Sequence, residues 1–301
     1  MTAIQNFAQL LEAALERGPK RVAIVGAGQR ETLHAARMAR DLGLAHCILI
    51  DDPQLLGNVA REEGIDLEGM DILDEANMVE AAYKAVAMVH ADKADMVMNG
   101  RALPVELMKA ALDRDTGLRI GKVISDVSIF EIPDFERLIF VSDVAIVVSP
   151  TLPQKVAIVQ NAIDTAIEMG IKEPRVAILA STEMVNPEMT ANMDAANLSK
   201  MAERGQIRGG LVDGPLAMDN AISAKAAEMK GIKSQVAGQA DILITPDVES
   251  GNILAKAIAY FARGHMAGVV VGAKCPIIMP SRSDPPQQKM LSLALGVYLA
   301  R

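Results

Sequence analysis

Gly18-Pro19-Lys-Arg21-Val-Ala-Ile-Val25-Gly26-Ala-Gly28 is the stretch from which the architecture is read. Just upstream, Ile4, Phe7, Leu10, Leu11, Ala14 and Leu15 share one helical face, since positions three and four apart lie side by side. Gly18 and Pro19 stop that helix, and Arg21 to Val25 follows as a strand. Apolar runs then recur at 47–50, 95–98, 138–148, 175–180, 210–212, 241–244 and 268–272. Helical segments alternate with them near 75–90, 104–112, 153–169, 190–204, 219–230 and 249–262, and a last helix spans about 285–300. The runs rarely alternate in polarity, as expected of strands buried on both faces, so the pattern predicts an α/β fold with mainly parallel sheets covered by helices. Pro150 and Pro153 break both periods near mid-chain, which places an interdomain crossing at Val147–Pro153.

Composition narrows the partners. The 301 residues are half hydrophobic, enough for a substantial core. The net charge of -8 has no basic block behind it, and five phenylalanines, three tyrosines and no tryptophan leave little for base stacking. Nucleic acid is therefore not an expected partner, and small molecules are. No run reaches the roughly 18 to 20 apolar residues that span a bilayer. Gln5, Gln9 and Glu12 stand where a signal peptide would be basic and then apolar. The expectation is a cytoplasmic protein that neither spans a membrane nor is exported. Cys47 and Cys275, far apart and in apolar surroundings, read as reduced buried thiols. His34, His46, His90 and His265 show no ligand spacing, so no metal is expected.

Val22 to Gly28 with Asp51 and Asp52 at the end of the next strand imitates a dinucleotide-binding turn. The third glycine is replaced by Glu31, whose charge is badly placed beside a pyrophosphate. An ordinary strand-to-helix turn is the better reading.

Polar clusters follow the strands of the second half, where open α/β sheets bind ligands. They are Asp213-Gly214-Pro215 with Asp219-Asn220, Pro246-Asp247 with Glu249, Gly251 and Asn252, and Ser281-Arg282-Ser283-Asp284. Asn99-Gly100 adds a fourth in the first half. Singly they read as turns and helix caps. Taken in order, with Gly117-Leu118-Arg119, Ser125 to Ile132, Ser142-Asp143, Val212 to Ser223, Pro246 to Asn252 and Pro276 to Asp284, the chain resembles the phosphate acetyltransferase and phosphate butyryltransferase family. It is more similar to the butyryl branch, and the resemblance runs from about residue 20 to the C-terminus.

That resemblance implies a fold like that of isocitrate and isopropylmalate dehydrogenases, with an interdomain cleft and a chain end that returns to the first domain. The implied domains are 1–148 plus 275–301, and 149–274. It also implies a homodimer or higher homo-oligomer, with acyl-CoA, inorganic phosphate and acyl phosphate as partners. Coenzyme A enters as a substrate, and no cofactor is called for. Phosphate is a poor nucleophile unless held in line with the thioester carbonyl, so positioning and oxyanion stabilisation should dominate. Arg282 is the expected clamp, and Ser281 a donor to the oxyanion or the leaving sulfur. Asp284 is the nearest acid that could deprotonate coenzyme A's thiol, because Gln287 and Gln288 stand where the acetyl branch has its proposed base. The plainer roles are an Arg282–Asp284 surface ion pair and a cap on the last helix by Asp284. Gly251 and Asn252 would shape the substrate site, with Asp247 orienting them or capping the next helix. Ser125 and Ser128 would add hydroxyls to the phosphate site, and Asp213 and Asn220 complete the substrate-binding set. The competing readings are an NAD-dependent dehydrogenase and a non-catalytic coenzyme A-binding protein.

Overall fold

The computed structural model describes residues 3–301. The chain opens with α1 (Phe7–Glu16), β1 (Lys20–Val25), α2 (Arg30–Asp41), β2 (Ala45–Asp51), α3 (Pro53–Glu63), β3 (Asp71–Asp74) and α4 (Met78–His90). It continues with β4 (Met96–Asn99), α5 (Pro104–Leu112), β5 (Ser125–Glu131), β6 (Ile139–Ser142), α6 (Leu152–Glu168), β7 (Arg175–Leu179) and α7 (Thr190–Glu203). Then come β8 (Leu211–Leu216), α8 (Met218–Ile222), α9 (Ala224–Met229), β9 (Ile242–Ile244) and α10 (Val248–Tyr260). The last elements are β10 (His265–Val271), β11 (Ile277–Ile278) and α11 (Pro286–Leu299).

Two compact units result: a terminal unit of Phe7–Lys122 with Met266–Arg301, and a central unit of residues 3–6 with Val123–His265. The division falls between Lys122 and Val123, earlier than the proline-marked crossing at 147–153. Pairing explains this, because β5 and β6 form an antiparallel pair and β6 runs parallel to β9 in the central unit.

In the terminal unit the strand order is β3-β2-β1-β4-β11-β10. All neighbours are parallel except β10 and β11. Val22 to Val25 is buried throughout, as its unbroken apolar run requires. Local chemistry sets the helix ends. Asp52 caps α3 by accepting from Gln54 N–H, Pro53 opens the helix, and Gly64 closes it at φ 61°. Asn77 caps α4 in the same way. Near the chain end, α11 packs against α1 and α2. It is buried around most of its circumference, from Lys289 to Leu299 with the exception of Leu291. Gly296 permits that approach, since a Cβ there would lie 2.4 Å from Met96 Cε.

In the central unit the order is β5-β6-β9-β7-β8, parallel apart from β5. Thr151 and Gln154 cap α6, with Gln154 Oε1 accepting from Thr151 N–H at 2.9 Å. The predicted helix at 219–230 is two short ones, α8 and α9, separated at Ser223, whose side chain caps α9. Cys47 and Cys275 are free thiols, and burial pushes each up to about 12. Among the described residues no helix is long and apolar enough to cross a membrane.

Candidate active site

In the terminal unit β1, β4 and β11 are parallel neighbours, so their carboxyl ends emerge together. This brings Gly26–Gln29, Asn99–Arg101 and Met279–Arg282 to one end of the sheet. Main chain packs tightly there. Gly26 sits at φ 67°, and a Cβ on Gly100 would lie 2.2 Å from Gly26 O, so no side chain fits at Gly100 without moving backbone. Asp51 is fully buried behind this turn. Its Oδ2 accepts from Gly28 N–H and Arg101 Nε, both at 2.8 Å, and its Oδ1 from Asp52 N–H at 2.9 Å and Arg101 Nη2 at 2.5 Å. The acid that a dinucleotide site would turn toward ribose is thus spent bracing the glycine turn.

Ser281 is half-buried, with both sides of its main chain held. Its N–H donates to Asp284 Oδ2 at 2.8 Å, and its carbonyl accepts from Lys289 Nζ at 2.7 Å and from Asp284 N–H at 3.1 Å. The next carbonyl, that of Arg282, accepts from Gln29 Nε2 at 3.3 Å. Ser281 Oγ lies 3.0 Å from Ser283 Oγ. By contrast the exposed Arg282 guanidinium has no hydrogen-bond or ion-pair partner among the described residues. Neither plainer role is seen: Arg282 makes no ion pair with Asp284, and α11 starts at Pro286, after Pro285 at the N-cap, without a side-chain cap. Asp284 is buried against the Ser281 main chain instead. Lys289 is fully buried, and its ammonium is pushed below the usual lysine range by burial, against the opposing pull of Asp284 and Glu31.

In the central unit the carboxyl ends of β6 and β9 meet the start of antiparallel β5. Two carboxyls are buried there, Asp126 and Asp143. Asp143 accepts from the backbone N–H groups of Ala145, Ile146 and Val147 at 2.8 to 3.0 Å. Asp126 receives Ser128 Oγ at 2.8 Å, and its carbonyl receives Ser142 Oγ at 2.6 Å. Burial and the charge of Asp143 push Asp126 well above the usual carboxylate range. Burial also raises Asp143, while its backbone donors hold it back. Both carboxyls are thus driven toward the protonated form, Asp126 the more strongly because it lacks the three backbone donors that Asp143 has.

Around this pair the helix α10 begins. Gly251 is buried so closely that a Cβ would lie 2.3 Å from Asp143 O and 2.7 Å from Thr245 Oγ1. Thr245 Oγ1 donates toward Asp143 O at 3.2 Å. The exposed Asn252 directs Nδ2 to Val144 O at 3.3 Å. Asp247 caps α10, accepting from Ser250 N–H at 2.8 Å and Ser250 Oγ at 2.7 Å, and those bonds hold its carboxyl below the usual range.

The sequence model described as phosphate acetyl/butaryl transferase matches residues 75–297. The chain belongs to that family. The phosphate butyryltransferase of Clostridium acetobutylicum is 39% identical over 297 residues, covering 99% of both chains. The phosphate acetyltransferase of Thermotoga maritima is also 39% identical, covering 97% of this chain and 99% of its own. Among solved structures, a branched-chain phosphotransacylase from Enterococcus faecalis V583 superposes with a TM-score of 0.82 at 26% identity, covering 93% of this chain and 99% of that one.

Within this phosphate acyltransferase family member, the sequence-derived candidates fall into two groups. Ser281, Arg282 and Asp284 lie together in the terminal unit; Gly251, Asn252 and Asp247 lie together in the central unit with Asp143 and Thr245. Ser125 and Ser128 are buried with their hydroxyls engaged: Ser125 Oγ accepts from Asn161 Nδ2 at 2.9 Å, and Ser128 donates to Asp126. Asp213 lies on edge strand β8 and accepts from Gly214 N–H at 2.8 Å. Asn220 is buried and donates to Glu183 Oε2 at 3.1 Å. Sequence reasoning missed Lys289 and the pairing of Asp126 with Asp143. A signal existed for the first: after Lys289 the helix is apolar to Leu299 but for Ser292.

Proposed function

We propose that this enzyme transfers a short-chain acyl group reversibly from acyl-CoA to inorganic phosphate, giving acyl phosphate and free coenzyme A. The observation that carries the reading is the match to phosphate acyltransferases over essentially the whole chain. A phosphate oxygen attacks the thioester carbonyl carbon, a C–O bond forms, and negative charge gathers on the carbonyl oxygen. Collapse breaks the C–S bond, and the sulfur leaves as thiolate to take a proton from solvent. Arg282 suits the phosphate, because an unpaired guanidinium offers a permanently charged fork of donors. Ser281 Oγ is assigned to the developing oxyanion or the leaving sulfur. Asn252 supplies an amide donor to phosphate or carbonyl oxygen, with Gly251 and Asp247 fixing the helix that carries it. The same reading makes the protein a cytoplasmic homodimer or higher homo-oligomer, related in fold to isocitrate and isopropylmalate dehydrogenases. A dehydrogenase activity is disfavoured by the engagement of both Asp51 oxygens.

The test is thiol release from acetyl-, propionyl- and butyryl-CoA with and without phosphate, beside Arg282→Ala. Release that requires phosphate and falls at least about a hundredfold in the variant supports the assignment. The ranking of the thioesters identifies the acyl preference, which one methylene changes by only about 1 to 3 kcal/mol. Folded protein that binds coenzyme A yet releases no thiol from any of the three would make it a binding protein instead.

A further inference from the structure

We infer that Lys289 and Asp284 form a clamp on the main chain of Ser281 that sets the direction of the Arg282 guanidinium. This rests on the phosphate acyltransferase reading and assigns Asp284 a positioning role in it, not that of a base. The clamp closes from both sides: Asp284 Oδ2 takes the Ser281 N–H at 2.8 Å and Lys289 Nζ gives to the Ser281 carbonyl at 2.7 Å. Gln29 holds the following carbonyl. A fully buried ammonium is costly to desolvate, and no carboxylate lies within ion-pair distance of Lys289 among the described residues. A methionine of similar length would fill the same place on α11 without that cost, so packing alone does not account for a lysine. What the ammonium does uniquely is hold one carbonyl, the one adjoining the Ser281–Arg282 peptide. A stem fixed at three main-chain groups, carrying a guanidinium with no partner among the described residues, is preorganised for an anionic ligand. Deleting the fixing groups therefore acts on catalysis through Arg282.

The experiment is steady-state kinetics on five variants with circular dichroism and melting as fold controls. Lys289→Met is expected to lower kcat/KM for phosphate about tenfold or more. In an Arg282→Ala background the same change is expected to cost less than about twofold, the non-additivity of a residue acting through another. Asp284→Ala should match Lys289→Met, while Asp284→Asn, which keeps an oxygen for the Ser281 N–H, should retain most activity. Additive losses, or unchanged phosphate kinetics in Lys289→Met, would overturn the clamp. So would an Asp284→Asn variant as crippled as Asp284→Ala, which would mark a base. Should Lys289→Met not fold, the two Asp284 variants decide alone. An inactive wild-type enzyme refutes the underlying reaction instead, so the two failures are distinct.

Discussion

Asp126 and Asp143 are buried together, and burial favours the protonated form of both. Asp143 has backbone donors that favour its ionised form; Asp126, lacking them and beside that carboxyl, is raised further. An acid whose folded pKa is raised favours folding fully only below its unfolded pKa of about 4, and that contribution is lost as pH rises toward the folded value. Asp126→Asn, which does not titrate, should therefore melt higher than wild type near pH 7 to 8, with the gap closing as pH falls toward 4. A gap that widens on acidification would mean that Asp126 is ionised in the native protein. Such pairs are hard to read from sequence, because Asp126 and Asp143 become partners only through the antiparallel pairing of β5 with β6. Ser281-Arg282 could be singled out as a candidate because chemistry and residue order coincide in one short segment. Lys289 was passed over despite the apolar run that follows it, since a lysine at a helix start is ordinarily solvated.

At the scale of elements, close approach decides where glycine is required. On α10, Gly251 meets the Asp143 carbonyl, a rigid backbone atom, so Gly251→Ala should cost about 1 to 3 kcal/mol and impair activity by displacing Asn252. On α3, Gly57 has nothing within 4 Å of its would-be Cβ, and Gly57→Ala should stabilise by about 0.5 to 1 kcal/mol. Urea unfolding of the two variants checks the contrast; equal effects would contradict it. Elements with an apolar run or a full amphipathic period were legible: β1, β2, β4, β6, β7, β8, β9 and β10, and most of the long helices. Strands β3, β5 and β11 were not. Strand β3 is Asp-Ile-Leu-Asp and largely exposed, β5 buries Ser125, Asp126 and Ser128 in a polar network, and β11 is only two residues long. None offers the continuous apolar run that marked the rest.

On the whole-molecule scale, alternation of strand and helix gave the α/β architecture, and the carboxyl ends of parallel strands gather the polar clusters in each unit. The division of the chain was less legible. Pro150 and Pro153 mark only the start of α6, whereas the boundary at Lys122–Val123 has no comparable punctuation and follows from strand pairing far along the chain. The central claim concerns the product, and thiol release alone would also follow from hydrolysis. Phosphorus NMR of the enzyme with acyl-CoA and inorganic phosphate tests it most directly. The account predicts that an acyl phosphate resonance grows as inorganic phosphate and thioester are consumed in equal amounts. Free thiol appearing while inorganic phosphate stays constant would contradict it and leave a thioesterase.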